Sequence, residues 1–340
     1  MKNYLEIIPE SVQLIKMTDE EYFSDKYKDH ISNSKLSLID PSAGGSPEKF
    51  KEGFTGGFSE SFELGSAVHG ILLQPDEFYI PDLYKPTGKM GYTAELVKKY
   101  RDQGLTISES IKQAATEADY YKGKLSPKRL KTFMKESVGF YIQRLKMKED
   151  PERVPLFLSK PTYEKYQHCL ANIEKDGSFI NTLYPEPVQI TPPESFNEYA
   201  ILCEVKISGE INKTVKVKAK IDNFVIDEEK QTVVLNDVKT TGFPIGYFMG
   251  NEWFDPEKQE KVWIEGSFEK FRYYRQLGMY LWLLQAAMQV KGYKGFTYRT
   301  NMLVVETRPE YMTRIYSVKG KWIKKGLQEF KHLLILAANE

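Results

Sequence analysis

Residues 218–242 read "KAKIDNFVIDEEKQTVVLNDVKTTG". Two strands joined by a polar turn account for the pattern, yet Asp222 interrupts the first strand, Asp237 ends the second and Lys239 follows two residues later. Carboxylates brought together in a sheet repel one another unless a cation sits between them. Oxygen ligands with room left for water suit Mg²⁺ or Mn²⁺ better than zinc. On an extended chain Lys239 points to the same side as Asp237. An ammonium there can orient a metal-bound water or offset negative charge growing on a phosphate. The chemistry this describes is metal-assisted phosphodiester hydrolysis. A lone Asp-x-Lys at a strand edge is more often an exposed ion pair, so its weight depends on its company. That company is His69 in "GSAVHG" and the Gln276/Tyr280 pair in "YYRQLGMY", one helical turn apart and on one face.

The elements that must position these residues follow from hydrophobic periodicity. The alternation predicts a hairpin of strands 215–226 and 232–238, with a turn over 227–231. A preceding strand covers "EYAILCEVKI", and it carries Glu198 and Glu204 on the same parity, so spacing does not choose between them. Ser32 or Ser34 can cap a short helix bearing Leu36, Leu38 and Ile39. Leu64, Val68, Ile71 and Leu72 share one face of a helix that opens near Glu63 and ends before Pro75. After the hairpin come a long helix over 268–292 that is nearly apolar in its second half, the strands "FTYRTNMLVVET" and "YMTRIYSV", and a closing helix "KWIKKGLQEFKHLLILAAN". The order strand, strand, strand, helix, strand, strand predicts an α/β or α+β architecture around a central mixed sheet, with helices before and after it.

Bulk composition narrows the classes. With 340 residues, 41% hydrophobic and 28% charged, the chain is long enough for a sizeable core and ordinary for a globular protein. Its net charge of +1 supplies no global field for nucleic acid, so any basic surface is local. One candidate is residues 122–148, where Lys122, Lys124, Lys128, Arg129, Lys131, Lys135, Arg144, Lys146 and Lys148 face a single acid, Glu136. Phe133, Phe140 and Tyr141 are interleaved, a mixture suited to a phosphate backbone and equally to a solvated helical face. Cys169 and Cys203 are too few for a disulfide framework or a four-cysteine metal site, and should pack as small apolar residues. No apolar run reaches transmembrane length and the N-terminal stretch is no signal peptide, so a cytoplasmic protein is expected.

Taken in order, His69, Asp222, Asp237-x-Lys239 and Gln276-x-x-x-Tyr280 resemble the PD-(D/E)XK nuclease superfamily, and more closely its RecE-type and RecB-type branch. "ISNSKLSLID", "VHGILLQPDEF", "LVVETRPEYMTRIYSV" and "GLQEFKHLLILAA" add similarity to phage and prophage exonucleases. The resemblance spans roughly residues 31–338, weakest over about 85–180. It implies a single nuclease domain over 1–340: an N-terminal segment (1–60), a helical part with the DNA-contacting basic stretch (61–190) and a catalytic sheet core (195–340). Asp222, Asp237 and the main-chain carbonyl of Val238 would bind Mg²⁺, with Mn²⁺ as a substitute. Lys239 would be the catalytic lysine, and His69 a metal or active-site ligand. The branch's glutamate is Glu198 or Glu204, with Glu198 preferred for its place at the start of the strand. Gln276 and Tyr280 would steady the site or the DNA, and Lys128, Arg129, Lys131 and Lys135 would grip the backbone. Asn236 departs from the pattern, which has an apolar residue there.

The activity so implied is exonucleolytic hydrolysis from double-stranded DNA ends in phage-type recombination within a bacterial host. A homo-oligomeric ring is the associated assembly, with room for a single-strand annealing protein as partner. Two alternatives keep the motifs: a structure-specific or single-strand endonuclease of the same fold, and a non-catalytic DNA-binding assembly protein. Two cysteines exclude an iron–sulfur relative, which needs four cluster ligands.

Overall fold

The computed structural model describes residues 4–53, 60–118, 127–148, 150–187, 191–257 and 259–340, and only the backbone at 60, 127, 129 and 130. The strands are β1 (Tyr4–Ile7), β2 (Gln13–Lys16), β3 (Phe78–Tyr79), β4 (Val154–Pro155), β5 (Glu194–Ser208), β6 (Lys213–Asp227), β7 (Thr232–Thr241), β8 (Asn251–Asp255), β9 (Glu260–Ile264), β10 (Thr297–Glu306) and β11 (Thr313–Ser317). Two units are distinguished: one of residues 1–55 with 172–340, the other of residues 56–171.

The first unit is an α+β arrangement around a seven-stranded mixed sheet in the order β1-β5-β6-β7-β10-β11, with β2 also on β5. Long runs of Val, Ile, Phe and Tyr in β5, β6 and β7 suit a sheet covered on its faces. The β6–β7 turn is tied by Asp227 Oδ1, which accepts from the Lys230 amide at 2.9 Å. β7 and β10 run parallel, and parallel neighbours require a crossover. Here the β8–β9 hairpin and the Tyr273–Val290 helix supply it. That helix buries Leu277, Leu283, Leu284 and Met288 in a core shared with Ile221, Leu235 and Val304 of the sheet and Phe330 of the Gly320–Ala338 helix. The two helices approach so closely that a Cβ on Gly326 would collide with the Tyr274 carbonyl oxygen.

One row of the sheet is polar. Asn197 pairs with Asn223, Asn223 with Asn236, Asn236 with Asn301, and Asn301 with Ser317, one residue on each of five adjacent strands. Their side chains form a continuous line of donations. Ser317 Oγ gives to Asn301 Oδ1 (3.2 Å), Asn301 Nδ2 to Asn236 Oδ1 (3.0 Å), Asn236 Nδ2 to Asn223 Oδ1 (2.7 Å) and Asn223 Nδ2 to Asn197 Oδ1 (2.7 Å). Asn197 Nδ2 then gives to the Tyr184 hydroxyl at 2.9 Å. Asn236 is fully buried, so the residue that departs from the apolar expectation is satisfied by amides on both sides.

In the second unit the Glu60–Leu73 helix begins three residues before the expected start and ends where Pro75 requires. The helices Gly88–Asp102, Ile107–Glu117, Pro127–Phe133 and Gly139–Lys146 follow, the last two joined through a π-helical turn at Met134–Val138. Phe133, Phe140 and Tyr141 are buried, so the three interleaved rings are core positions and are not presented to a partner. Lys128, Lys131 and Lys135 are exposed, whereas Arg144 is paired with Glu95 at 2.8 Å and lies over the Phe157 ring. Lys122 and Lys124 lie outside the described residues, as does the side chain of Arg129. Burial pushes the thiols of Cys169 and Cys203 up to about 12, in keeping with a packing role. No helix among the described residues is long and apolar enough to cross a membrane.

Replacing Asn236 by leucine keeps the branched outline of the side chain but takes away the partner of Asn223 Oδ1 and of Asn301 Nδ2. Stability should fall by about 2–4 kcal/mol, read as a lower urea midpoint at unchanged m-value. An unchanged midpoint would show that the amide line contributes nothing.

Candidate active site

Both ladders around β6 open at the same residue. β5 and β6 pair from Glu194–Ile226 to Ile207–Lys213 with a single gap, where Glu198 should meet Asp222. β6 and β7 pair as far as Asn223–Asn236 and part before Asp222 can meet Asp237. Glu198 has φ 58, the left-handed region that costs a non-glycine residue about 1–2 kcal/mol. The kink turns the strand over. Phe196 and Tyr199, which strict alternation would place on opposite faces, touch each other (5.6 Å between centroids). Both also touch Phe224, at 4.8 and 6.0 Å.

Where the strands part, the carboxylates take over the vacated positions. Asp222 Oδ2 accepts from the Val238 amide at 2.8 Å, satisfying an N–H that the ladder no longer reaches. Glu198 and Asp222 present carboxylate oxygens within 4.8 Å of one another. Asp237 is 1% exposed; its Oδ1 accepts from Gln276 Nε2 at 3.3 Å, and the same amide donates to the Tyr280 hydroxyl at 2.9 Å. Lys239 Nζ is 2.6 Å from Asp237 Oδ2 and 3.8 Å from Asp222 Oδ2, and it donates to the Val238 carbonyl at 3.1 Å. Despite that short approach, Asp237 Oδ2 accepts no well-directed hydrogen bond among the described residues.

Electrostatics follow from the burial. Desolvation is the main cause that raises Asp237 to about 7, with the Asp222 charge adding to it and Lys239 opposing. Glu198 is likewise raised to about 7, first by burial and then by Asp222, against the pull of Lys220. Burial works against the Lys239 ammonium, but Asp237 and Asp222 outweigh it and hold its pKa above the usual lysine range. Tyr280 is pushed well up by burial and stays a neutral hydrogen-bonding group.

Glu198, Asp222, Asp237, Val238, Lys239, Gln276 and Tyr280 thus meet within the first unit. Glu204 does not join them: it pairs with Lys216, six residues and about 20 Å further along β5. His69 lies half-buried on the Glu60–Leu73 helix of the second unit. Two neighbours escaped sequence reasoning. Lys220 Nζ is 2.8 Å from Glu198 Oε2 and 2.5 Å from Asp19, and Tyr273 presents its ring 5.6 Å from Lys239 Nζ. Lys220 stands two residues before Asp222 in the stretch first singled out, and Tyr273 one turn before Gln276. Spacing was the available signal for both.

The donors here are hard oxygens: three carboxylates and the Val238 carbonyl. The Lys239 ammonium already touches the Val238 carbonyl and the Asp237 carboxylate, with Asp222 next in reach. Two carboxyls held near neutrality by burial, plus a buried oxygen lacking a directed donor, form a set that could hold Mg²⁺ or Mn²⁺.

No protein-family model matches the chain, and no curated protein matches it. Among solved structures the chain is similar to the crystal structure of a "Putative exonuclease" from Eubacterium rectale. The two share 13% identity and a TM-score of 0.48 over 96% of this chain and 88% of that one. Similarity at that level carries nothing about what this chain does.

Raised folded-state values for Asp237 and Glu198 mean that the folded chain holds more protons than the unfolded one between about pH 4 and 7. Their contribution to stability is present below pH 4 and is lost as pH rises through about 7. With chelator present, wild type should therefore lose stability across this window relative to Asp237→Asn, by on the order of 1–4 kcal/mol. Mn²⁺ at pH 8 should raise the Tm of wild type and not of the variant. Identical profiles for the two proteins, with and without Mn²⁺, would remove the cation site.

Proposed function

We infer that this protein is a Mg²⁺-dependent DNA nuclease of the PD-(D/E)XK type, working as an exonuclease on double-stranded ends. The observation that supports this reading is the opening of two ladders at one residue, which collects Glu198, Asp222, Asp237 and Lys239 on rigid strands. Buried carboxylates with a lysine among them serve no packing purpose, and burying them costs stability. Bound to this donor set, the cation supplies Lewis acidity toward a phosphate oxygen and activates water. Lys239 then directs its ammonium at the oxygen on which charge develops, and Gln276 holds the Asp237 carboxylate in place. Lys128, Lys131 and Lys135 give the DNA backbone an exposed cationic contact.

The test uses linear duplex DNA labelled separately at each end, beside covalently closed plasmid. Label should be released from linear DNA only with Mg²⁺ or Mn²⁺ present, and closed circles should survive. Cutting of closed circles would replace the exonuclease with an endonuclease. Asp237→Asn and Lys239→Ala should each lower the rate by about 10²-fold or more. His69→Ala, made in parallel, tests the ligand role that the resemblance gives to that residue, and full activity there would dismiss it. Cleavage that persists undiminished in Asp237→Asn would rule out the assigned site.

The basic contact has its own signature. Replacing Lys128, Lys131 and Lys135 together with alanine should lower the slope of log affinity against log salt by about 3. A slope equal to that of wild type would place the DNA elsewhere.

A further inference from the structure

Most of the large exposed apolar side chains among the described residues of the first unit fall between residues 243 and 271, Tyr4 and Phe23 being apart from them. Trp253, Phe254, Trp263 and Ile264 stand on the β8–β9 hairpin, each about half exposed. Glu252, Asp255 and Glu260 stand among them, a setting that repels a phosphate backbone. Phe243 and Phe271 differ. Each is 50% exposed, and the Lys270 ammonium sits between them, 5.5 Å from the ring of Phe243 and 5.9 Å from that of Phe271.

These two rings are continuous with the carboxylate site. Lys239 Nζ lies 5.6 Å from the Tyr273 ring, and Tyr273 lies 5.8 Å from Phe271 at an angle of 44°. Behind them Phe248 stacks on Tyr273 (5.9 Å, 16°) and Tyr316 stacks on Phe248 (5.6 Å, 20°), so the platform rests on packed rings. A series of aromatic faces therefore runs from the lysine of the site to open solvent, and a cation stands at its outer end.

We propose that Phe243, Lys270 and Phe271 form a stacking platform for unpaired nucleobases of the strand whose phosphate lies at the Asp222/Asp237 site. The proposal rests on the nuclease reading and narrows its substrate to strands unpaired next to the cut, either single-stranded or frayed from a duplex end. Half-exposed rings offer a π-face to any base, and the ammonium between them can meet the intervening phosphate. Continuity with Lys239 and the positive charge of Lys270 favour a nucleic-acid strand over a protein as the occupant. The acidic hairpin next to the platform is not part of it.

The experiment measures binding in chelator, where nothing is cut. Fluorescence anisotropy compares a labelled oligodeoxyadenylate with a strand of equal length carrying abasic sites, which keeps the phosphates and removes the bases. Wild type should bind the base-bearing strand roughly 5- to 100-fold more tightly. The ratio should fall toward one in Phe243→Ala/Phe271→Ala and be kept in the ring-preserving variant Phe243→Trp/Phe271→Trp. A ratio unchanged in the double alanine variant, or a wild-type ratio of one, overturns the platform. End-labelled cleavage with Mg²⁺ separates the two readings. A ring-dependent ratio without any cleavage sinks the nuclease and leaves the platform standing. Asp237-dependent cleavage with a ring-independent ratio does the reverse. Failure to bind either strand overturns the platform, and the absence of any cleavage beside it overturns the nuclease as well.

Discussion

Everything at the candidate site depends on one missing pair in the sheet, that between Glu198 and Asp222. An intact ladder there would keep β5, β6 and β7 at ordinary strand spacing, with Glu198, Asp222 and Asp237 side by side on one face and their main-chain groups tied to one another. The left-handed Glu198 interrupts the pairing on one side of Asp222, and the parting of β6 from β7 at the same residue frees the Val238 amide, whose hydrogen bond Asp222 accepts. Such a backbone persists only where its surroundings over-determine it. The trio Phe196, Tyr199 and Phe224 packs across the kink, while Asn197 and Asn223 hold the adjacent row with a side-chain bond of 2.7 Å.

A second constraint fixes the helix that carries Gln276 and Tyr280. Arg275 is 2% exposed, and its guanidinium is shared among Asp40 (2.6 Å), Ser37 (2.7 Å), Asn33 (3.0 Å) and Glu329 (3.2 Å). Burial alone would raise Asp40, but its bonds to Ser42 and Arg275 more than offset that and keep the carboxyl below its ordinary range. A buried guanidinium is tolerated only when its donors are used, and here they reach into the 33–40 segment and the C-terminal helix together. The residue preceding Gln276 is therefore locked from two directions. The reach of Gln276 to Asp237 follows from this anchoring.

Much of this was legible before any coordinates, and the limits have physical causes. The hairpin, the Tyr273–Val290 helix and β10 carry period-2 or buried-helix patterns over ten or more residues, and the structure agrees with them, as it does with the shorter β11. Ser32 caps its short helix by accepting from the Lys35 amide, as the Ser-x-x-Lys order allows. Parity could not separate Glu198 from Glu204, which lie an even six residues apart; only the register against β6, with Glu198 at the gap beside Asp222 and Glu204 opposite Lys216, tells them apart. Phe133, Phe140 and Tyr141 read as partners for nucleic acid, whereas helical periodicity buries them and leaves the lysines outside. Arg275 gave no signal: its partners lie more than 50 residues away on either side, a distance that no local pattern spans.

Asn236 and Asp237 tie the two faces of the sheet into one device. They are consecutive, so they point to opposite faces, one into the amide line and the other into the carboxylate site. A slip of one residue in β7 would exchange them. The buried carboxylate, with Lys239 on the same face, would then meet the Asn223 Oδ1, another acceptor with no proton to give, while a neutral amide would stand where Asp237 now faces Asp222. Apolar residues along the row would not penalise that slip so sharply, since one buried valine packs much like another. The amide line thus discriminates against the register in which the acids fail to converge, and it does so one residue from the point where the ladder itself stops providing register. An asparagine that looked like a weakness in the motif is, in the folded chain, what keeps Asp237 facing Asp222.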